Sequence, residues 1–474
     1  MRRLLVLLTL LVLAFACKSK TEVSILVYKA SLIDLQNGQV IQNQVVLIQG
    51  DSILLTGGDS LLSEYSGKVE INAESKFLMP GLWDNHVHFG GAEYIDENEQ
   101  LLPLYVAFGV TAVRDAAGDI PIEVLKWKAE ITEGKRIGPR IFTSGPKIEG
   151  INSIWPGDLE VGSEEELDKA LDSLEKLDVD FVKITDNALS AELFLSATKK
   201  ARTRGWSVSG HIHPGITLDE ISKAGLTTIE HQSYLLRAAT AEEQRIRDER
   251  SSNKLSSAEA NQLQFETLSD SVALSNFQKF AIQGTGIVPT LLISYNIAYL
   301  DSLDFSGDTI LNYLGPKLKE SYQWRIDRYA LEDSLARKNR KMVFEASARL
   351  LPMVQKSGMK IMVGTDAGYL NTYDYPASAI HRELALMVNY GLSPLEALQA
   401  SMINGPTYFG LEDKYGSIKS GRKASMVLLT KNPLENIGNT LSIESVIVEG
   451  AYYSRADLDR MLAEIKAWVK EKSL

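Results

Sequence analysis

Histidines are scarce in this sequence, and most of them stand where a metal ion could be bound. Of six histidines in 474 residues, His86 and His88 form an H-x-H pair, His211 and His213 form a second pair, and His231 follows a short apolar run. Neutral imidazole is the commonest metal ligand in proteins. Alternate residues of a strand point to the same side, so an H-x-H pair at a strand end directs two ring nitrogens to one point. The spacing therefore predicts a metal site.

A lysine and an aspartate extend this set of candidate ligands. Lys183 lies within the apolar run 179–185, where a charged amine is costly unless it is paired or its pKa is lowered. The alternative is a lysine whose amine reaches solvent at the strand end. Asp366 follows a hydrophobic run and a Gly-Thr turn. An aspartate in such a position can also be a helix cap.

Two further residues are candidates for contact with a substrate. His213 either faces the substrate or is an ordinary loop histidine. Tyr234, three residues after His231, either donates a hydrogen bond to the substrate or packs within its loop. His381 lies in the helical pattern Ile-His-Arg-Glu-Leu, and we expect it to be structural.

The elements that position these residues alternate between strand and helix from residue 81 to residue 411. Eight candidate strands end near His88, Asp115, Ser144, Thr185, Ile212, His231, Thr290 and Asp366. Many of the intervals suit a strand, a helix and two loops, which predicts an α/β fold with a (β/α)8 barrel. Residues 235–280 and 300–350 predict extra helices around the seventh strand. These helices could form a lid or an oligomer contact, or a solvated insertion.

A small β-sandwich is predicted from both terminal regions, 23–80 and 412–454. Strand-like runs occur in both regions, and Asn37-Gly38 indicates a hairpin because both residues tolerate positive φ. Apolar residues spaced by three and four predict a C-terminal helix over 455–474.

The first residues and the charge of the chain suggest where it acts. Residues 1–16 resemble a signal peptide, with an apolar run too short to span a bilayer comfortably. Cys17, the only cysteine, resembles the lipid-modified cysteine of a bacterial lipoprotein and is followed by a linker, 17–22. We therefore expect export to the periplasm, the outer membrane or the cell surface, with attachment through a lipid; plain signal-peptide cleavage is the alternative. The net charge of -11 makes nucleic acid a poor partner, and we expect a small-molecule substrate.

Several motifs together resemble those of the amidohydrolase superfamily. The run Pro-Gly-Leu-Trp-Asp-Asn-His-Val-His, which ends at His88, is similar to the family's opening motif. Residues 109–115 are similar to its second strand, and residues 404–424 to its C-terminal signature. The subgroup with the strongest resemblance is that of the imidazolonepropionase-like enzymes, which includes metal-dependent Xaa-Pro dipeptidases.

The resemblance implies a site with one or two divalent metal ions, for which zinc is the default. His86, His88 and Asp366 would hold one ion, and His211 with His231 the other. Lys183, carboxylated on its amine, would bridge them.

The resemblance also implies hydrolysis of a carbon–nitrogen bond by a metal-activated hydroxide, with Asp366 moving the proton and with Lys183 and His231 as further catalytic residues. A dipeptide or an N-acyl amino acid is the first expectation for the substrate. Hydrolysis of a cyclic amide, a lactone or a phosphoester is an alternative, and a catalytically inactive solute-binding lipoprotein is an alternative of a different class.

Two departures from the family fall where a substrate would bind. The loop 145–157 carries no histidine, whereas some members of the subgroup have a Gly-Gly-His there; it offers Lys147, Trp155 and Pro156 instead. Gln232 stands where a glycine often follows the sixth-strand histidine. The substrate therefore cannot be transferred from the resemblance.

Overall fold

The computed structural model describes residues 20–116 and 118–474. The predicted signal peptide and Cys17 lie outside these residues, so export and lipid attachment stay predictions from the sequence. Within the described ranges, every helix is too short or too polar to cross a membrane.

Strands from both ends of the chain form one mixed sheet of eight strands. They are β1 (Thr21–Asp34), β2 (Gln39–Gln49), β3 (Ser52–Gly57), β4 (Tyr65–Asn72), β5 (Phe77–Pro80), β16 (Met426–Leu429), β17 (Ile443–Val448) and β18 (Ala451–Ser454). The order is β18-β17-β16-β5-β1-β2-β3, with β4 also paired to β1. Register shifts on either side of Ala30 divide β1, whose first half pairs with β4 and whose second half pairs with β5. The predicted β domain built from both terminal regions is thus confirmed. The strands of the two regions form a single sheet, in which β5 lies beside β16.

The hairpin between β1 and β2 forms where the sequence predicts it. The two strands pair antiparallel from Asp34 and Gln39 outward. Gly38 adopts a φ of 73°, a conformation that glycine reaches without the steric cost of a side chain.

The central region is a parallel barrel, as predicted. Its strands are β6 (Leu82–His88), β7 (Val110–Asp115), β8 (Arg140–Thr143), β9 (Ile148–Glu149), β10 (Leu159–Glu160), β11 (Val182–Ile184), β12 (Val208–Gly210), β13 (Thr228–Glu230), β14 (Gly286–Val288) and β15 (Ala367–Gly368). One parallel sheet runs from β6 to β8 and another from β9 through β11 to β14. The chain around Ile361 bridges to Ile287 of β14, and β15 then pairs with β6. These contacts join the last barrel segment, from Ile361 to β15, to the first barrel strand, β6. The barrel is therefore closed, and the carboxyl ends of its strands share one face.

Helices surround the barrel and form the predicted insertions. They are α1 (Ile95–Ala107), α2 (Pro121–Thr132), α3 (Glu164–Lys176), α4 (Ala191–Thr203), α5 (Leu218–Ala224), α6 (Leu235–Ala238), α7 (Glu243–Ser251), α8 (Ser257–Glu266), α9 (Asp270–Gln283), α10 (Leu291–Ala298), α11 (Pro316–Ser321), α12 (Gln323–Ala330), α13 (Ser334–Ala348), α14 (Leu351–Ser357), α15 (Ala379–Asn389), α16 (Pro394–Met402), α17 (Asn404–Tyr408) and α18 (Arg455–Lys472). Helices α6 to α9 and α11 to α13 occupy the two stretches for which extra helices were expected. The C-terminal helix α18 begins at a capping box formed by Ser454 and Asp457, and it packs against α1.

Candidate metal centre and substrate cleft

The predicted ligands meet at the carboxyl ends of the barrel strands. His88, Lys183, His211, His231 and Asp366 line one cleft with a cavity volume of about 100 Å³. The fully buried His86 lies next to them on β6. Ligands that are far apart in the sequence therefore surround one space, as the barrel topology predicts.

Three of these residues form a compact group. The Nε2 atoms of His86 and His88 lie 3.2 Å and 2.6 Å from the same carboxylate oxygen, Oδ1 of Asp366. One possible ligand atom from each residue lies within 4.8 Å of the others. This spacing can hold one divalent cation.

A second pair of histidines adjoins the first group. His211 and His231 approach each other through their Nε2 atoms, 3.0 Å apart. The rings of His86 and His231 are 5.3 Å apart, centroid to centroid. The second pair of histidines therefore lies directly beside the first group.

Polar neighbours of the rings orient the ligand nitrogens. Nδ1 of His86 donates to Glu230 at 2.5 Å, and Nδ1 of His231 lies 2.7 Å from the hydroxyl of Thr290. Nδ1 of His211 lies 3.7 Å from Asp186. A partner on one ring nitrogen fixes the orientation of the ring and leaves the other nitrogen for a metal.

Glu230 belongs to a buried ion pair that the sequence reasoning missed. Arg114 of β7 donates to both carboxylate oxygens of Glu230 at 2.8 Å, and Thr228 donates to the same carboxylate. Ser209 donates a further hydrogen bond to it. The available signal was a charged residue at or near the end of each of two buried strands, because buried charges need a partner. The pair fixes the residue that orients His86.

Asp84, two residues before His86, holds the turn that carries Asp366. Its carboxylate accepts hydrogen bonds from the backbone N–H and the hydroxyl of Thr365, at 3.0 Å and 2.8 Å. Burial raises the pKa of Asp84 to about 7. A Cβ atom on Gly364 would lie 2.7 Å from that of His86, so the close approach of this turn requires glycine.

Two of the ligand residues have unusual backbone conformations. His231 and Asp366 have φ values of 75° and 69°. Non-glycine residues in this region carry strain of roughly 1–3 kcal/mol, which persists where surrounding contacts impose it. Here the backbone N–H groups of both residues donate to neighbouring strands, to Val288 and His86 respectively. Such strain is typical of functional sites.

Lys183 is buried without a partner. Its side chain is 1% exposed, and its Nζ makes no hydrogen bond to any residue that the structure describes. Burial lowers the pKa of the amine to about 8, although nearby Glu230 opposes this shift. The snorkelling alternative is therefore not what the structure shows.

The protonation states suit metal binding. Burial lowers the pKa of His88 to about 4 and of His231 to about 3, and it lowers that of His211 well below its usual value. Burial opposes ionisation of Asp366, but the adjacent imidazoles of His88 and His86 hold its pKa well below the usual range. At neutral pH the site thus offers neutral imidazoles and a carboxylate, which are the forms that bind divalent cations.

These observations test whether the residues fit a metal centre. Nε2 of His86 is buried and makes no hydrogen bond of good geometry in the described ranges, although Oδ1 of Asp366 lies 3.2 Å away, and Nζ of Lys183 makes no hydrogen bond there either. An unsatisfied buried polar group costs about 1–3 kcal/mol. A bound cation would satisfy His86, and a negatively charged group on Lys183 would complete the donor set. The residues fit.

The other three predicted positions lie elsewhere. Nδ1 of His213 accepts a hydrogen bond from the N–H of Gly215 within its own loop. The ring of Tyr234 stacks 6.5 Å from that of His211 and lines a neighbouring cavity. His381 is buried in α15, away from the cleft, as expected of a structural residue. Contact of His213 and Tyr234 with a substrate stays a prediction.

Part of the cleft wall comes from the loop 145–157, one of the two places where this chain departs from the family, whereas the other, Gln232, lines a separate cavity. Lys147 and Trp155, from the loop without histidine, line the cleft together with Arg325 of α12. The rings of Trp155 and Trp324 meet edge to face, 5.9 Å apart. The inserted helices therefore contribute directly to the cleft.

A barrel of this kind, with histidines and an aspartate at the carboxyl ends of its strands, defines the class of metal-dependent hydrolases. The model of the amidohydrolase family matches residues 77–452, and the chain belongs to that family. The expectation of a hydrolase acting on carbon–nitrogen bonds is confirmed at this level.

The individual proteins that this chain resembles share only a small fraction of its sequence. An ochratoxinase from Aspergillus niger is 22% identical over 451 residues, which cover 88% of this chain and 84% of that protein. The solved structure of an Xaa-Pro dipeptidase with bound methionine matches with a TM-score of 0.66 at 21% identity, covering 91% of this chain and 99% of the other. A bottromycin amidohydrolase matches with a TM-score of 0.71 at 17% identity, covering 94% and 90%. At these identities the structures show a shared fold.

Proposed function

We propose that this chain is a metal-dependent hydrolase that cleaves the amide or peptide bond of a dipeptide or an N-acyl amino acid. The observation that carries the proposal is the meeting of four histidines, one carboxylate and an unpartnered buried amine beside one cleft. Similarity to an Xaa-Pro dipeptidase and a bottromycin amidohydrolase supports a substrate with an amide bond.

The proposed metal ligands divide into two groups that share Lys183. His86, His88 and Asp366 would hold one ion, and His211 with His231 the second. Zinc is the default for such a set, and manganese, iron or cobalt suit similar ligands. When bound, these ions supply Lewis acidity and lower the pKa of a water molecule to about 7.

Lys183 is proposed to carry a carboxylate on its amine. The neutral amine nitrogen forms a bond to the carbon of carbon dioxide, and a proton is released to solvent, which leaves a carbamate with one negative charge. The reaction removes a cost that the structure shows, an amine buried without a partner. It also supplies two oxygens between the two groups of ligands.

Asp366 is proposed to move the proton. Its carboxylate is ionised at neutral pH, so one oxygen can accept a proton from the attacking water. The same group then delivers this proton to the leaving nitrogen as the carbon–nitrogen bond breaks. His231, held by Thr290 on Nδ1, keeps its other nitrogen directed toward the site. Backbone hydrogen bonds from both residues to neighbouring strands hold these positions despite the strained φ values.

The test is hydrolysis by metal-loaded protein of a panel of dipeptides, N-acyl amino acids and cyclic amides. We expect turnover of the first two groups and a loss of roughly 100- to 10,000-fold in kcat for Asp366→Asn, the usual contribution of a general acid–base group. Asn keeps one side-chain oxygen, so metal content should be measured in parallel. Asp413→Asn, a change at a side chain that is 99% exposed, is the matched control.

Two results would contradict the proposal. Metal-loaded protein that hydrolyses no carbon–nitrogen bond in the panel would rule out the activity. An Asp366→Asn variant that keeps its metal and turns over at a near-normal rate would rule out the proton-transfer role.

A further inference from the structure

Besides Lys183, two cationic side chains line the cleft, Lys147 and Arg325, and they differ in whether their charge is compensated. Lys147 lies 3.2 Å from Asp119 and 3.1 Å from Asp158. The polar contacts of Arg325 are instead to neutral oxygens, the carbonyl of Leu370 and the side chain of Asn371. No carboxylate within the described ranges forms an ion pair with Arg325. The guanidinium is thus an uncompensated positive charge beside the metal centre.

The guanidinium is also held in place before any ligand arrives. Its Nε donates to the carbonyl of Leu370 at 2.9 Å, and Nη2 donates to Asn371. Asn371 in turn donates to the backbone carbonyl of Asp366. These contacts use only part of the five N–H donors that a guanidinium carries. Arg325 is therefore tied to the segment that carries a metal ligand, and it keeps donors for another group.

Further contacts fix the junction between α11 and α12, just before Arg325, on this segment. The backbone N–H of Leu370 donates to the hydroxyl of Ser321 at 3.0 Å, and the hydroxyl of Thr372 donates to the carbonyl of Tyr322 at 2.7 Å. These contacts set the position of Arg325, so its helix is not free to move over the surface. Pre-organisation of this kind lowers the entropic cost of binding.

We propose that Arg325 binds the free carboxylate of the substrate and makes the cleft selective for amides that carry one. A planar guanidinium can donate two parallel hydrogen bonds to a carboxylate. An amide or an ester group is neutral and therefore gains no charge–charge attraction from the same guanidinium. Trp155, on the same wall, offers apolar surface to the rest of the substrate. This inference rests on the proposed function and names Arg325 as a specificity-determining residue for it.

Matched ligands test the role of the charge. N-acetyl-L-leucine and N-acetyl-L-leucinamide differ only in the carboxylate. For metal-loaded protein the two are compared by kcat/KM where they are hydrolysed, and by dissociation constants from calorimetry where they are not. We expect wild-type protein to prefer the acid by roughly 10- to 100-fold, the range of a hydrogen bond to a charged group. Arg325→Gln should remove this preference, and Arg325→Lys should keep part of it. Each preference is a ratio within one protein, so a partly inactive preparation does not change it.

Arg328 provides the matched control. It lies on the same helix, and both guanidiniums lie over the ring of Trp324, at 5.7 Å for Arg325 and 5.5 Å for Arg328. Arg328 is exposed and is not among the residues that line the cleft. Arg328→Gln removes the same charge from α12 and should leave the preference for the acid unchanged.

The outcomes separate this inference from the proposed function. A wild-type protein without preference, an Arg325→Gln variant that keeps the preference, or an Arg328→Gln variant that loses it equally would each overturn the role of Arg325, even if amides are hydrolysed. Loss of the preference in Arg325→Gln alone supports the role. If no amide in the panel is hydrolysed but Arg325→Gln alone loses the preference for the acid, Arg325 binds carboxylates and the proposed hydrolase activity is wrong.

Discussion

Buried histidines occur in two regions of this molecule, and the two regions treat them differently. At the cleft, Nε2 of His86 faces Oδ1 of Asp366 at 3.2 Å without a hydrogen bond of good geometry, and the amine of Lys183 makes no hydrogen bond in the described part of the chain. In α15, by contrast, both ring nitrogens of His381 are satisfied, by the hydroxyl of Thr440 at 2.9 Å and the carbonyl of Phe108 at 3.0 Å. The buried histidine of α15 thus has a hydrogen-bond partner on each ring nitrogen, whereas the buried histidine at the cleft has one on Nδ1 only.

Two buried carboxylates repeat the contrast. Glu230 orients His86 and is paired with Arg114. Glu383 accepts hydrogen bonds from the backbone N–H groups of Leu291 and Leu292, at 2.8 Å and 2.7 Å, and so holds the first turn of α10. Burial raises the pKa of Glu383 to about 8. One carboxylate therefore supports the metal centre, and the other supports the fold.

The largest effect should come from Glu230→Gln. Loss of the charge leaves Arg114 buried without its partner, which typically costs about 3–5 kcal/mol of unfolding free energy. It also weakens the orientation of His86, and the loss of such a partner typically lowers metal affinity roughly 10- to 100-fold. Urea unfolding and competition with a metal chelator measure the two quantities.

Glu383→Gln is the counterpart for this comparison. It should lower the free energy of unfolding and leave metal affinity unchanged, because Glu383 contacts the N-terminus of α10 and not a ligand. Equal losses of metal affinity in the two variants would show that Glu230 has no special role in metal binding compared with Glu383.

A smaller and pH-dependent effect is expected at His381. Burial lowers its pKa to about 4, below the value of about 6.5 for an unfolded histidine. The unfolded state therefore binds the proton more readily between these values, so the stabilising contribution is complete above pH 6.5 and is lost as the pH falls toward 4. The shift corresponds to roughly 3 kcal/mol. Urea unfolding from pH 7 to pH 4 should show a shallower decline in His381→Gln than in the wild type.

A matched result at a second site would sharpen this prediction. His213→Gln changes a half-buried loop histidine whose pKa burial also lowers, so it should change the pH dependence of unfolding in the same direction as His381→Gln but to a smaller extent. An unaltered pH dependence in His381→Gln would contradict a structural role for a buried neutral imidazole.

The sequence was sufficient to predict the barrel and to predict that the candidate ligands lie at the ends of its strands. Apolar runs that end in His88, His231 and Asp366 place these residues at strand ends, and parallel strands bring such ends to one face. Lys183 could be identified because a charge inside an apolar strand demands an explanation.

Partners between distant elements could not be predicted. Arg114 and Glu230 lie on β7 and β13, which are not neighbours in a sheet, so their meeting depends on how the barrel closes. Arg325 lies in a stretch that was recognised only as helical. Its approach to the cleft depends on the docking of α12 against the turn after strand eight, which no local pattern in the sequence specifies.

Metal analysis of purified protein tests the central claim most directly, with Lys183→Met and the exposed Lys360→Met as matched variants. We predict one to two equivalents of a divalent transition metal in the wild type and in Lys360→Met. In Lys183→Met we predict much less metal and a loss of at least about 100-fold in kcat/KM, since even residues that only orient a ligand contribute 10- to 100-fold. A wild-type protein that binds no transition metal and gains no activity when one is added would contradict the account.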